Sequence, residues 1–107
     1  MAENVRDLPY RIRTEAGYTA MVDFETVQGD RQALPYSYLV SINYNPSEGL
    51  VLTFASHVVR IRGRNLDDLY LALVRQRAEY IRAEDAHFDT RPESEPFIEK
   101  IDITPNE

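Results

Sequence analysis

The chain of 107 residues contains no cysteine, and that absence excludes several kinds of chemistry at once. Without a thiol there is no disulfide framework, no thiolate nucleophile and no cysteine-containing metal site. Histidine is scarce too, because only His57 and His87 are present, and neither has a second histidine at the three- or four-residue spacing of a metal site. We therefore expect no metal and no cofactor, and a fold stabilised by packing and hydrogen bonds alone.

Glycine and long apolar runs are also in short supply. The four glycines stand far apart and match neither phosphate-binding glycine motif, and they lie at positions 17, 29, 49 and 63. No apolar stretch is long enough to cross a membrane, and the amino terminus lacks a basic segment followed by an apolar one. The sequence predicts a soluble, cytoplasmic protein that does not associate with membranes.

Positive charge is limited, with 12 basic residues against 18 acidic ones and a net charge of −6. General binding to nucleic acid or to an anionic membrane needs positive charge that displaces counterions, so this balance argues against both. The charge is unevenly placed, since residues 57–82 are net basic and residues 83–107 are net acidic. We expect the basic middle and the acidic end to neutralise each other within the fold.

What is present is the composition of an ordinary folded domain. Apolar residues make up 43% of the chain and charged residues 28%, far from the composition of a disordered protein. A chain of this length has room for one hydrophobic core and is too short for two ordinary domains. We interpret residues 1–107 as a single domain, with an acidic, proline-containing linker at 84–96 inside it.

Alternating apolar and polar side chains mark half-buried strands in the first half of the chain. Three segments show the alternation: residues 18–27, 36–44 and 50–55. A turn sequence with Pro46 and Gly49 separates the last two, so we expect them to pair antiparallel. The alternation changes phase near Ser56 and His57, which predicts a turn there and a fourth strand that ends at Gly63.

A helical pattern follows these strands. Apolar residues recur with a period near 3.6 over residues 66–83, with Asn65 as the N-cap candidate. Residues 97–103 are predicted to form a short last strand at a sheet edge. The fold class predicted is α+β: an antiparallel meander of four to five strands, with one long C-terminal amphipathic helix packed on one face. A partly closed barrel capped by the helix is the second choice.

Three arginines, Arg60, Arg62 and Arg64, alternate along the fourth predicted strand and share one face of it. Such a row can bind phosphates or the carboxylates of a partner, because a guanidinium group binds both oxygens of an acidic group. The simpler interpretation is structural, with Asp23 and Glu25 of a neighbouring strand, or the acidic linker, lying across the row as surface salt bridges. All three interpretations stay open at this point.

Tyrosines are the other candidates for a surface role. Tyr36, Tyr38 and Tyr44 have the same parity as the apolar residues of their strand, which places them on the core face with hydroxyl groups at its rim. If the helix covers only part of the sheet, the uncovered rings form an interaction patch. Tyr36 and Tyr38 therefore join the three arginines as a candidate binding surface, and pairing of two copies would bury it.

Signals for catalysis are weak. Ser56 lies beside His57, but neighbouring residues of a strand point to opposite faces, so only a turn would bring the hydroxyl group and the imidazole together. Asp23 and Glu25 are close enough to work as an acid and base pair, yet on an exposed face they are ordinary solvated charges. We expect no catalytic residues and no enzymatic activity, with His57 and nearby carboxylates as the alternative.

The residues from Phe54 to Tyr70, FASHVVRIRGRNLDDLY, resemble the strand-to-helix core of a family of small bacterial proteins of unknown function. The resemblance extends over residues 36–83, and it implies a bacterial source without implying an activity. The preceding observations by themselves predict a protein-binding or assembly module that acts as a homodimer. The alternative is binding of nucleic acid or phosphate through Arg60, Arg62 and Arg64.

Overall fold

The computed structural model describes residues 8–88 and 92–107, and in these residues β-structure dominates. Eight strands form two four-stranded sheets, and there is one short α-helix. The elements are β1 (Tyr10–Ile12), β2 (Met21–Glu25), β3 (Arg31–Pro35), β4 (Leu39–Asn45), β5 (Gly49–Phe54), β6 (His57–Arg64), α1 (Asp67–Val74), β7 (Ala78–Arg82) and β8 (Phe97–Pro105). Short 3₁₀ turns occur at Tyr36–Tyr38 and Ala86–Phe88.

The two sheets share one hydrophobic core. The first sheet has the strand order β1-β7-β2-β3, and the second has the order β4-β5-β6-β8. All pairs of the second sheet are antiparallel, whereas β7 in the first sheet runs parallel to β2. Phe24 of β2 meets Phe54 of β5 edge to face, with ring centroids 6.3 Å apart. Side chains from both sheets are therefore buried against each other in one apolar interior.

The predicted α+β meander with a long C-terminal helix is wrong. The helix ends at Val74, and Gln76 takes a left-handed backbone conformation with φ of 59°, which reverses the chain. The following residues, predicted as helix up to position 83, form β7 between β1 and β2. The segments 18–27 and 36–44, predicted as partners in one sheet, contribute strands to different sheets.

Long-range hydrogen bonds explain why the helical periodicity does not continue past α1. The Arg77 guanidinium group donates to the carbonyl oxygens of Arg13 and Gly17 at 2.7 Å each, and to that of Glu15 at 2.6 Å. The backbone N–H of Thr19 donates to the carbonyl oxygen of Gln76 at 3.0 Å. These partners are distant in sequence, so tertiary pairing overrides the local preference.

Asn65 is not the N-cap that the sequence predicts. Its own φ is 57°, and Leu66 occupies the cap position without a side-chain hydrogen bond. The Asn65 side-chain amide instead donates to the carbonyl oxygen of Glu93 and, at 3.2 Å, to that of Glu95. The described end of the predicted acidic linker is thereby attached to the start of α1.

Two local predictions agree with the structure. A turn at Ser56 connects β5 to β6, so the change of phase at that point is a reversal of the chain. The last strand is present as β8, which is longer than predicted and pairs antiparallel with β6 from Arg64 back to His57. Over residues 8–88 and 92–107, no helix has the length and apolar character needed to cross a membrane.

Candidate binding surface

The second sheet has an inner face in the core and an outer face turned to solvent. Alternation along β5 and β6 buries one set of side chains: Leu50, Leu52, Phe54, Val59 and Ile61. The strand register aligns the opposite set into two neighbouring rows across the sheet. We call this outer surface the open face, and its rows are Asn43, Val51, Arg60 and Asp102, followed by Asn45, Gly49, Arg62 and Lys100.

A hollow of about 490 Å³ lies on the open face. Arg60, Arg62 and Lys100 line it on one side and the amide side chains of Asn43 and Asn45 on the other. Its floor includes Gly49, which has no side chain to fill the space.

Glycine is required at position 49. The φ of Gly49 is 137°, and a Cβ atom built there would lie 1.9 Å from the carbonyl oxygen of Ile61. The close approach of β5 to β6 therefore depends on the absence of a side chain.

The cations of the hollow are incompletely neutralised. Among the residues that the structure describes, the side chains of Arg60 and Arg62 have neither a hydrogen bond nor an ion pair. Lys100 Nζ lies 3.5 Å from Asp102 Oδ2, and Glu48 is the second carboxylate at the hollow. Two guanidinium groups, two residues apart on one strand, are thus available to bind carboxylate or phosphate oxygens.

Arg64 differs from the other two arginines of the predicted row in having contacts of its own. Its guanidinium carbon lies 5.2 Å from the centroid of the Phe97 ring, in a cation–π arrangement. Its Nη2 donates to the carbonyl oxygen of Pro92 at 3.5 Å. Arg64 therefore contacts the first residue of β8 and the segment before it, and the candidate row reduces to Arg60 and Arg62.

The outer face of the first sheet is arranged differently, and we call it the closed face; it consists of Arg11, Asp23, Glu25, Arg31 and Tyr80. The Tyr80 ring lies 5.4 Å from the guanidinium carbon of Arg11 and 4.9 Å from that of Arg31. Arg31 forms an ion pair with Asp23, and the Tyr80 hydroxyl group donates to Glu25. Partial burial, and then the bond to Glu25, raise the pKa of Tyr80.

The structural alternative for the arginine row is wrong in one of its two forms. Asp23 and Glu25 belong to the first sheet and are engaged there with Arg31 and Tyr80, so they do not lie across Arg60 and Arg62. The two carboxylates do share an outer face, as the sequence predicts, but each accepts a bond from a neighbouring side chain.

The three tyrosines of the predicted patch have three different environments. Tyr36 is buried, its hydroxyl group donates to the carbonyl oxygen of Ala78 at 2.7 Å, and burial raises its pKa. Tyr38 is 54% exposed. Tyr44 stacks on Tyr70 of α1 with centroids 5.4 Å apart. Of the two tyrosines assigned to the candidate surface, only Tyr38 is on the surface.

Ser56 and His57 are closer than strand geometry predicts. The turn places Ser56 Oγ 2.8 Å from His57 Nδ1, while His57 Nε2 lies 3.4 Å from Nε2 of Gln32. An amide thus stands where a catalytic triad has a carboxylate. His87 lies in the acidic segment, 3.0 Å from Asp85, whose pKa is lowered by hydrogen bonds from the backbone and ring of His87. Residues 8–88 and 92–107 contain no cluster of three or more His, Asp or Glu that could hold a metal ion.

Among the contributors to the open face that sequence reasoning missed are Asn43, Asn45, Gly49 and Lys100. A signal for the first three exists, because β4, the turn and β5 form a hairpin whose register follows from the turn. No local signal identifies Lys100, since β8 reaches β6 only after a long connection.

The chain has been compared with protein-family models, with curated proteins and with solved structures, and none of them matches it. The resemblance to small bacterial proteins, and the bacterial source that it implies, therefore stay predictions. Any functional conclusion depends on the geometry and charge of the surfaces themselves.

Proposed function

We propose that the protein is a binding module for other proteins and that its open face contacts an acidic segment of the partner. The observation that supports this proposal is the pair of guanidinium groups, Arg60 and Arg62, which line a hollow without a carboxylate partner among the described residues. A partner carboxylate gains charge-assisted hydrogen bonds there and displaces only water.

Charge and ring positions favour a protein partner over nucleic acid. The net charge of −6 repels a polyanion at long range, and Asp102 and Glu48 repel phosphates at the hollow itself. Tyr44, the aromatic residue among those that line the hollow, has one face of its ring stacked on Tyr70, so that face is not available to a base. A peptide carries isolated carboxylates between neutral residues, which suits a surface of mixed charge.

We propose no catalytic step for this surface. The hollow is lined by arginine, lysine, carboxylate and amide side chains, together with Tyr44, apolar residues and Gly49, and among these described residues there is no nucleophile and base pair. Its groups are suited to recognition of charge.

Fluorescence anisotropy with a labelled peptide that carries glutamates between neutral residues tests the proposal. We expect saturable binding that weakens about tenfold in Arg62→Gln, because one charge-assisted contact is lost. Arg75→Gln is the matched control, since Arg75 is exposed at the end of α1 and lies outside the hollow. It removes the same charge and should leave binding within about twofold of the wild type.

A labelled single-stranded DNA of similar length serves as the second probe in the same assay. We expect weaker binding of the DNA than of the peptide. DNA binding that is tighter than peptide binding and is lost in Arg62→Gln would replace the present proposal with a nucleic-acid function. Equal loss of peptide binding in Arg62→Gln and Arg75→Gln would also contradict it.

The homodimer and the cytoplasmic location stay predictions. For the dimer, the relevant surface lies between β4 and α1, where an open groove is lined by Leu39, Val40, Leu73 and Val74. The side chain of Val40 is 71% exposed and that of Val74 is 54% exposed. Light scattering at high protein concentration checks the dimer, and a monomer mass would contradict it.

A further inference from the structure

The open face has the form of a channel that follows β5. Its floor is β5, where Val51 and Gly49 lie on the outer face, and its walls are the outer side chains of β4 and β6. Asn43 and Asn45 stand on one wall, opposite Arg60 and Arg62 on the other. The two walls therefore have the same repeat, because each pair is two residues apart on a strand.

We infer that the occupant of this channel is an extended segment with carboxylate side chains at alternate positions. The inference rests on the proposed function and specifies its ligand. Side chains two residues apart on a strand are separated by about 6.7 Å, and an extended peptide places its own alternate side chains at the same distance. Carboxylates at positions i and i+2 then meet Arg60 and Arg62 one to one.

The width of the channel favours an extended chain over a helix. The backbones of β4 and β6 lie two strand spacings apart, which is about 9.6 Å. An α-helix with its side chains is about 10–12 Å across, so it does not enter between walls that themselves carry long side chains. An extended chain occupies about half of that width.

The asparagine wall supplies what an extended backbone needs. An extended peptide exposes its N–H and C=O groups, whereas a helix satisfies them internally. The Oδ1 atom of Asn45 accepts from the backbone N–H of Ser47 at 3.0 Å and from its hydroxyl group at 2.8 Å, which leaves the side-chain N–H group of Asn45 as a donor. Asn43 is exposed and offers both a donor and an acceptor.

Two labelled peptides of identical composition test the spacing. One has three glutamates at alternate positions between serine and threonine residues, and the other has the same glutamates in one block. We expect the alternating peptide to bind about tenfold more tightly, since only it places carboxylates on both guanidinium groups without bending. Arg60→Gln and Arg62→Gln should each remove most of this preference, whereas Arg75→Gln should preserve it.

The outcomes separate this inference from the proposed function. Equal affinity for the two peptides, with dependence on Arg62, would overturn the spacing while leaving the acidic partner in place. Tighter binding of a third peptide, with glutamates every fourth residue in an alanine-rich helix, would overturn the extended conformation. Absence of binding to all three would overturn both proposals. Thermal unfolding of each variant checks that the fold is retained. Asn43→Ala changes an exposed residue and should weaken binding of the alternating peptide about threefold.

Discussion

The closed face and the open face belong to one small protein, yet the arginine side chains on the two faces have different surroundings. On the closed face Arg31 pairs with Asp23, and the Tyr80 ring lies between Arg11 and Arg31. On the open face Arg60 and Arg62 have no such partner among the described residues. The number of arginines on a surface therefore says little about binding, because a guanidinium group that is already paired within the fold is not available to a partner.

The difference follows from strand register. In the first sheet the pairing of β2 with β3 and β7 places Asp23 and Glu25 beside Arg31 and Tyr80. In the second sheet the pairing of β6 with β5 and β8 places Val51 on one side of Arg60 and Asp102 on the other, and Asp102 lies 3.5 Å from Lys100. The open face thus has more cations than carboxylates to pair with them.

The largest expected effect on stability comes from a substitution at Gly49, in the open face. Gly49→Ala should lower the free energy of unfolding by about 3 kcal/mol, because the φ of 137° strains any side chain and the new Cβ would meet the Ile61 carbonyl oxygen. Urea denaturation measures the loss. Gly29→Ala is the control, since its φ is 96° but no atom lies within 4 Å of the new Cβ. Equal losses in the two variants would show that the close approach at Gly49 has no cost.

A change at Tyr80 breaks the closed face. Tyr80→Leu removes the contacts of the ring with Arg11 and Arg31 and the bond to Glu25, so we expect a loss of about 1–2 kcal/mol in the free energy of unfolding. Chemical denaturation of the variant checks this value. Tyr38→Leu, at a position 54% exposed, should stay near the wild type. Similar results for both variants would contradict a structural role for the closed face.

The dependence of stability on alkaline pH tests the environment of the buried Tyr36. Burial raises the pKa of Tyr36 above its ordinary value of 10.0, so the folded protein keeps this proton while the unfolded chain releases it. Stability is therefore fully present below about pH 10 and falls as the pH rises further, by up to about 1.4 kcal/mol per pH unit. In Tyr36→Phe this fall should be smaller in denaturation experiments at about pH 9 and about pH 11. An unchanged fall would refute the assignment to Tyr36.

The smallest expected effect on stability concerns the two arginines of the open face. Arg60→Gln and Arg62→Gln should each change the free energy of unfolding by no more than about 0.5 kcal/mol, because neither side chain has a partner among the described residues to lose. Thermal and urea unfolding measure this. A loss above about 1 kcal/mol in either variant would mean that the open face, like the closed face, serves stability.

Local signals in the sequence were informative where contacts are local. The turn that contains Pro46 and Gly49, the alternation of β4 and β5, and the reversal at Ser56 all concern neighbours in sequence, and the structure has strands and turns at these places. The arginines of β6 were identified for the same reason. Patterns with a period of 2 or 3.6 residues involve only a short stretch of sequence, and a short stretch is sufficient to predict strands and turns of this kind.

Prediction from such local patterns fails at residues 78–82. Ala78, Tyr80 and Ile81 continue the apolar period of α1, so the pattern alone indicates one long helix. The structure buries Ala78 and Ile81 in a strand instead, because β1 and β2 offer backbone partners that the sequence window does not contain. The same limit hid Lys100, whose place on the open face depends on the pairing of β8 with β6.

The position of β7 between β1 and β2 has a consequence for synthesis on the ribosome. The hairpins of β2 with β3 and of β4 with β5 and β6 connect near neighbours, so they can form as the chain emerges. Among the described residues β1 is bonded to β7 alone, so it must wait until residues 78–82 have been translated. β1 is therefore the last strand to join its sheet. Until it does so, its apolar side chains are exposed to chaperones and to other nascent chains.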